Sequence, residues 1–350
     1  MSNFQNKINK QEKGIWRYVG FYDEFIEPEN RLVLESRGLA PVVTGAKPLR
    51  NIYFKREDEN MTGSLKDRSL SYQVSLAKQN GKKELVISTS GNAGIAAAAY
   101  CQKAEIKLHI FISPDTGKDK IVEMQKYNPI IIKSKKAIRL ANYLSARYKT
   151  ENLRPSINDS SIEGFKSIAF EIFERLGEID ALFSFVTSGS SFAGIGMAYK
   201  YLLEKNEIKK MPKLYAVQSG NIFSIAGEFE KNLRHIDNIR ECRIQAGRLG
   251  VKNTRRKKEI IELIQLSGGS GLYIKNKEFQ KAAKLLEENN IYTSTEGCAS
   301  FSAAIREGKK NNFNKIVCIL SGKLREKVNK IDESKIYEAE SFEEVDEIVY

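Results

Sequence analysis

Histidine and cysteine are scarce in this chain. Among its 350 residues there are 2 histidines, His109 and His235, and 4 cysteines, Cys101, Cys242, Cys298 and Cys318. Neither histidine has a partner at ligand spacing, which excludes a histidine-based catalytic triad or a metal centre. The cysteines are scattered without a CxxC pair, which argues against a zinc site or a disulfide framework. Reduced thiols of this kind suit a cytoplasmic protein. Long apolar runs are missing as well. The longest stretches, such as Ile95 to Cys101, are too short to cross a bilayer, so no membrane is expected as a partner. The segment from Met1 to Lys13 is polar, with no apolar core, and predicts no signal peptide. Internal repeats and low-complexity tracts are absent.

What is present is an ordinary globular composition, 41% hydrophobic and 29% charged, with a formal net charge of +13. The basic runs, Lys133 to Lys136 and Arg255 to Lys258, are short and lack interleaved aromatics. No nucleic-acid motif accompanies them, so nucleic acid is excluded as a partner and they read as solvated faces. A positive field of this size can still steer an anionic ligand. The length suits one large or two medium domains.

From Glu84 onward, strand-like and helix-like segments alternate. Strands are expected at Glu84–Ser88, Lys107–Ser113, Pro129–Ile132, Ala181–Val186 and Lys213–Gln218. Helices are expected at Asn92–Lys103, Lys118–Tyr127, Lys135–Tyr148, Glu163–Leu176 and Phe192–Asn206. That alternation predicts an α/β fold with mainly parallel sheets and helices on both faces. The polar loop Thr150 to Ser161 is the candidate crossing between domains. The acidic segment Asp332 to Tyr350 is expected to pack as an extra helix.

Four segments could carry chemistry. Lys66 stands between the Gly63-Ser64 turn and a helix start at Asp67. A helix N-terminus and nearby cations oppose a charged ammonium, and a neutral lysine is a nucleophile suited to forming a Schiff base with a carbonyl. The bland alternative is a solvated lysine. A Ser/Lys hydrolase pair does not fit, because Gly63, not serine, stands three residues before Lys66. The second segment, Ser88-Thr89-Ser90-Gly91-Asn92, joins a strand end to a helix start, where free N–H groups favour anions. Ser90 or Asn92 could equally be a simple helix cap. The third, Thr187-Ser188-Gly189-Ser190-Ser191, is a Gly/Ser turn able to cradle a phosphate, although it is neither a P-loop nor GxGxxG. In the fourth, Cys318 to Lys323, a short apolar strand ends in the hydroxyl of Ser321.

The run Asn60-x-Thr62-Gly63-Ser64-x-Lys66-Asp67-Arg68 resembles the lysine segment of fold-type II pyridoxal phosphate enzymes, most closely threonine synthases, within the tryptophan synthase β-like superfamily. Trp16-Arg17-Tyr18, Ile162 to Ser167, Val217-Gln218 and Glu296 to Ser300 fall in the family's order, so the likeness runs from about residue 14 to 326. It implies a two-domain, three-layer fold. A smaller domain, 66–160, would be inserted into a larger cofactor-binding domain made of 1–65 and 161–350. It implies pyridoxal 5′-phosphate as cofactor, with Lys66 as the catalytic residue that carries it. Asn92 would bond the cofactor's phenolic oxygen, Thr187, Ser188, Gly189, Ser190 and Ser191 would hold its phosphate, and Ser321 would face its ring nitrogen. Ser88, Thr89, Ser90 and Gly91 would receive the substrate carboxylate, with Asn158, Ser161 and Lys166 as further substrate contacts. The implied partner is a small amino acid, and relatives are commonly homodimers. The implied reaction is loss of a leaving group from Cβ or Cγ, with threonine formation from O-phosphohomoserine the nearest example. Two departures bear on substrate. Asn158-Asp159-Ser160-Ser161 replaces Asn-Pro-x-Arg, so Ser161 stands for a phosphate-binding arginine. Ser36 to Pro41 replaces a Gly-Glu-Gly-x-Thr-Pro signature, where Arg37 could restore positive charge. A β-elimination or β-replacement enzyme on a serine-like substrate, or a non-catalytic paralogue, are the alternatives.

Overall fold

The computed structural model describes residues 3–34, 42–44, 51–220, 222–230, 254–326 and 328–350. The Ser36–Pro41 segment with Arg37, together with His235 and Cys242, lies outside the described residues. Along the chain come α1 (Asn3–Lys7), β1 (Val42–Thr44), β2 (Ile52–Lys55), α2 (Lys66–Gln79), β3 (Glu84–Ser88), α3 (Asn92–Ala104), β4 (Lys107–Ile112), α4 (Lys118–Gln125), β5 (Ile130–Lys133), α5 (Ala137–Tyr148) and β6 (Glu151–Asn152). They are followed by α6 (Ser161–Leu176), β7 (Ala181–Phe185), α7 (Ser190–Glu204), β8 (Lys213–Gln218), α8 (Ala226–Phe229), α9 (Lys257–Ser267), β9 (Ser270–Tyr273), α10 (Asn276–Glu287), α11 (Thr295–Gly308), β10 (Ile316–Ile319), β11 (Ile336–Glu338) and α12 (Phe342–Val349).

The strands form two sheets. A 6-stranded sheet has the order β1-β2-β10-β7-β8-β9, antiparallel only at β1. A 5-stranded sheet, β11-β5-β4-β3-β6, is parallel throughout. The fold is therefore α/β with mainly parallel sheets and helices packed against them. Its central strands are buried on both sides, as every residue of β7 is, which explains their unbroken apolar sequence. No helix among the described residues is long and apolar enough to cross a membrane.

One segment departs from the sequence reading. The stretch after Asp332, grouped there with the larger unit, joins the smaller sheet instead: Ile336 and Tyr337 pair with Ile131 and Ile132. The expected terminal helix, α12, does form, and Ser341 and Glu344 cap it reciprocally. Its Val345 and Val349 bury against Phe111, Ile132 and Leu140. An amphipathic helix needs an apolar partner, and this one finds it over α5 and the small sheet.

The helices α2, α6 and α7 hold the molecule's middle together. A Cβ at Gly164 would lie 2.1 Å from the Arg68 carbonyl oxygen, and one at Gly194 would lie 2.8 Å from that of Ile162. These two glycines let α6 approach both neighbours closely. The turn Gly14–Phe21 clasps the assembly from outside. Trp16 donates to the Leu32 carbonyl at 3.0 Å and stacks on Tyr72 of α2, while Arg17 and Tyr18 both bond Glu174 of α6. Gly164→Val should therefore lower stability by at least about 1–3 kcal/mol, because the opposing atom is backbone. Gly227→Ala, whose Cβ would meet only Phe223 at 3.7 Å, should be near neutral. Denaturant midpoints of the two variants check this contrast.

Candidate active site

The segment between β2 and α2 is fixed by charges that never reach water. Lys55 Nζ lies 2.8 Å from Glu57 and 3.3 Å from Glu171, and all three side chains are 0% exposed. Arg68 meets Glu57 with two nitrogens at 2.7 Å, Glu171 at 2.5 Å and the Ser167 hydroxyl at 3.0 Å. Asn60 Nδ2 adds a bond to Glu57 at 2.7 Å. Burial alone would push the Glu57 carboxyl up, but Arg68 and Lys55 outweigh it and hold it at about 2. Lys55 is pulled down by burial, against the opposing pull of Glu171 and Glu57. The lattice joins β2, the following turn, α2 and α6 at one point.

Downstream, Asp67 accepts from the Thr62 amide at 2.8 Å and from the Thr62 hydroxyl. Burial raises its carboxyl to about 6. Gly63 takes the left-handed conformation, φ 78°. Ser64 bridges to Gly322, the Leu65 amide donates to the Ser321 carbonyl at 3.0 Å, and the Lys323 amide donates to Gly63 at 2.9 Å. The result sets Lys66 at the first position of α2, half-buried, with Nζ 5.3 Å from the centroid of the Phe165 ring. No carboxylate pairs with it among the described residues. Its pKa falls to about 8, and the cause is burial. The sequence reading expected a helix end and neighbouring cations to do this; desolvation does it instead, because the nearby cations are spent on Glu57 and Glu171.

Ser321 and Asn92 arrive at the same place. Ser321 follows β10, is half-buried, and its Oγ has no partner among the described residues. A Cβ on Gly322 would lie 3.0 Å from Asn92 Nδ2. Asn92 opens α3, whose cap residue is Gly91 with no side-chain cap bond, so neither Ser90 nor Asn92 acts as the helix cap. Thr89, Ser90 and Gly91 are half-buried beside it, and Ser88 is buried. Asn92 Oδ1 accepts from Lys120 Nζ at 3.0 Å and from Arg325 at 3.4 Å. Burial, aided by Arg325, lowers Lys120 to about 8. Sequence reasoning missed both cations. Lys120 lies in an unremarkable helix, and Arg325 stands only four residues beyond Ser321 without a motif of its own.

The Thr187–Ser191 turn precedes α7. Gly189 has φ 90°, and a Cβ there would lie 2.3 Å from Ile260, so only glycine fits. Helix α7 has no side-chain cap, which leaves its first N–H groups for an anion. Thr187 and Ser188 are half-exposed. Ser190 is spoken for: its hydroxyl donates to the Pro155 carbonyl at 2.6 Å. Ser161 does the same at 3.0 Å and is fully buried. Asn158 is tied to Glu151, Asn152 and Ser160 within its own loop, and Lys166 pairs with Glu163 at 2.6 Å and Asp23 at 3.4 Å. The structure thus gathers Lys66, Asn92, Ser321 and the Ser88–Gly91 turn, while Asn158, Ser161 and Lys166 have their polar atoms engaged elsewhere. Asp159 points outward and pairs with Arg256 at 2.5 Å.

These residues fit a phosphorylated aldehyde: an unpaired amine of low pKa, an uncapped helix start for the phosphate, and an unengaged hydroxyl at a strand end. A family model described as "Pyridoxal-phosphate dependent enzyme" matches residues 34–322. Similar curated proteins include threonine synthases. That of Methanocaldococcus jannaschii is 26% identical over 91% of this chain and 82% of its own, and that of Halalkalibacterium halodurans is 25% identical over 86% and 87%. Among solved structures, maize serine racemase superposes with a TM-score of 0.67 at 18% identity, covering 83% of this chain and 88% of its own. O-ureido-L-serine synthase superposes at 0.68 and 16%, covering 83% and 92%. At these identities both speak for the fold alone.

Two outcomes follow from the charges. The neutral fraction of Lys66 in cofactor-free protein should rise roughly tenfold per pH unit below its pKa and saturate above about 8. Cofactor uptake, followed by visible absorbance, should therefore plateau near that pH and not near 10.5, the ordinary lysine value. Replacing Glu57 by Gln leaves Lys55 and Arg68 sharing one carboxylate, which should cost about 3–5 kcal/mol of stability in denaturant titration.

Proposed function

We propose, for a chain that belongs to the pyridoxal-phosphate dependent enzyme family, a lyase or synthase reaction on an amino acid with a leaving group at Cβ or Cγ. Pyridoxal 5′-phosphate is the cofactor. The observation that carries the reading is Lys66: half-buried, without an acidic partner among the described residues, and with a pKa near 8. A chain that had given up turnover would have little reason to keep a desolvated amine among unengaged donors. Holding such an amine without a counter-charge costs stability.

In this reading Lys66 holds the cofactor aldehyde, the N–H groups at the start of α7 take its phosphate, and Ser321 offers a neutral hydroxyl to its ring nitrogen. Bound there, the cofactor withdraws electrons from the Cα of an amino acid and so lowers the cost of removing the α-proton. The substrate carboxylate lies on the Ser88–Gly91 turn at the uncapped start of α3. Lys66 would take the α-proton at Nζ, and its pKa near 8 suits a base that works near neutral pH. The leaving group would then depart from Cβ or Cγ, according to the substrate. Asn92, steadied by Lys120 and Arg325, fixes the site's orientation.

The nearest named reaction is that of the threonine synthases, O-phosphohomoserine to threonine. Elimination or replacement at Cβ of a serine-like substrate is favoured by one observation: Ser161 is 0% exposed and bonded to Pro155, so it offers no phosphate contact. Lys66→Ala should abolish the visible absorbance band of the purified protein; an unchanged spectrum would remove Lys66 from the mechanism. Incubation with O-phosphohomoserine and with serine-type substrates separates the two reactions. Threonine plus phosphate marks the first, and a 2-oxo acid or a β-substituted amino acid marks the second.

A further inference from the structure

We propose that Arg154 is the specificity-determining residue of this site, and that it selects amino acids carrying a second anionic group on the side chain. The proposal rests on the reading given under Proposed function. Strand β6 pairs with β3 through Leu85–Glu151 and Val86–Asn152, and the Leu153 amide continues the ladder to Val86 at 2.8 Å. Arg154 is therefore the next residue along, level with the end of β3. The C-terminal edge of a parallel sheet is where such folds bind ligands. Its Nη1 reaches the Ser88 hydroxyl at 3.5 Å, the outer limit of a hydrogen bond. Ser88 opens the turn that leads to Asn92.

The guanidinium is half-buried, yet no acid answers it among the described residues. The acids nearest in sequence are committed: Glu151 to Asn158 at 3.0 Å, and Asp159 to Arg256 at 2.5 Å. Burial lowers the Arg154 pKa and nothing opposes it, as expected of a cation whose counter-charge comes from outside the chain. A planar fork with most of its donors unassigned suits a carboxylate or a phosphate. The α-carboxylate common to all amino acids has its own donors at the uncapped start of α3. That leaves Arg154 for a further anion, and it supplies the positive charge that the buried Ser161 hydroxyl does not.

The test uses purified holoenzyme and titrates its visible band with O-phospho-L-serine, O-phospho-L-homoserine, L-aspartate and L-serine. Arg154→Gln should weaken the doubly anionic ligands by about 10- to 100-fold and leave L-serine within about twofold. Arg154→Lys should restore part of the loss. Whether the phosphorylated ligands or L-aspartate suffer more identifies the anion. A loss as large for L-serine would assign Arg154 to the α-carboxylate and overturn the proposal, as would no loss for any ligand. A wild-type band that no amino acid perturbs would instead sink the proposed function, and this inference with it.

Discussion

Two cations and two anions, sealed from water, decide where Lys66 stands. Lys55, Glu57, Arg68 and Glu171 come from a strand, a turn and two helices, and each is buried. Removing any one leaves an uncompensated charge in a low-dielectric interior, so the four must be placed together or not at all. The ten residues between Lys55 and Lys66 are pinned at their start by Lys55 and Glu57, and Arg68 pins α2 just beyond them. The Thr62–Asp67 bonds and the Ser64–Gly322 bridge fix what lies between. Lys55 and Lys66 thus divide two roles. One spends its charge on carboxylates, and the other is left unpaired and desolvated, with its proton held loosely.

The same arrangement brings the rest of the site within reach. The strand ends of β3, β7 and β10 lead into the turns that carry Asn92, Gly189 and Ser321. Helices α3 and α7 both begin without a side-chain cap. Among the described residues no side chain caps their first N–H groups. Close glycine contacts at positions 164 and 194 let α2, α6 and α7 pack tightly enough to hold these helix starts in register.

Much of this was legible in the sequence. Alternating apolar strands and helices marked the sheets, and the Asn60–Arg68 run marked the turn that leads into α2. What misled was polarity at helix starts. Serines at 161 and 190 read as loop, yet they begin α6 and α7, and both hydroxyls are absorbed by the Pro155 carbonyl. A sequence shows which residues can donate a hydrogen bond but not where the bond goes. For the same reason Ser161, Asn158 and Lys166 looked available for substrate, while Lys120, Arg154 and Arg325 carried no signal. Gly269 likewise carried no signal, yet a Cβ there would lie 2.0 Å from the Leu214 carbonyl oxygen. Strand β11 was missed because three residues carry too little periodicity to announce a strand.

The central claim is that the buried charge lattice reserves Lys66, and not its neighbour Lys55, for the cofactor. Reductive trapping of the bound cofactor with borohydride, followed by peptide mapping, reads this directly. The account predicts the phosphopyridoxyl label on the peptide containing Lys66 and none on the peptide containing Lys55. A label on Lys55, or on a lysine outside this segment, would contradict it.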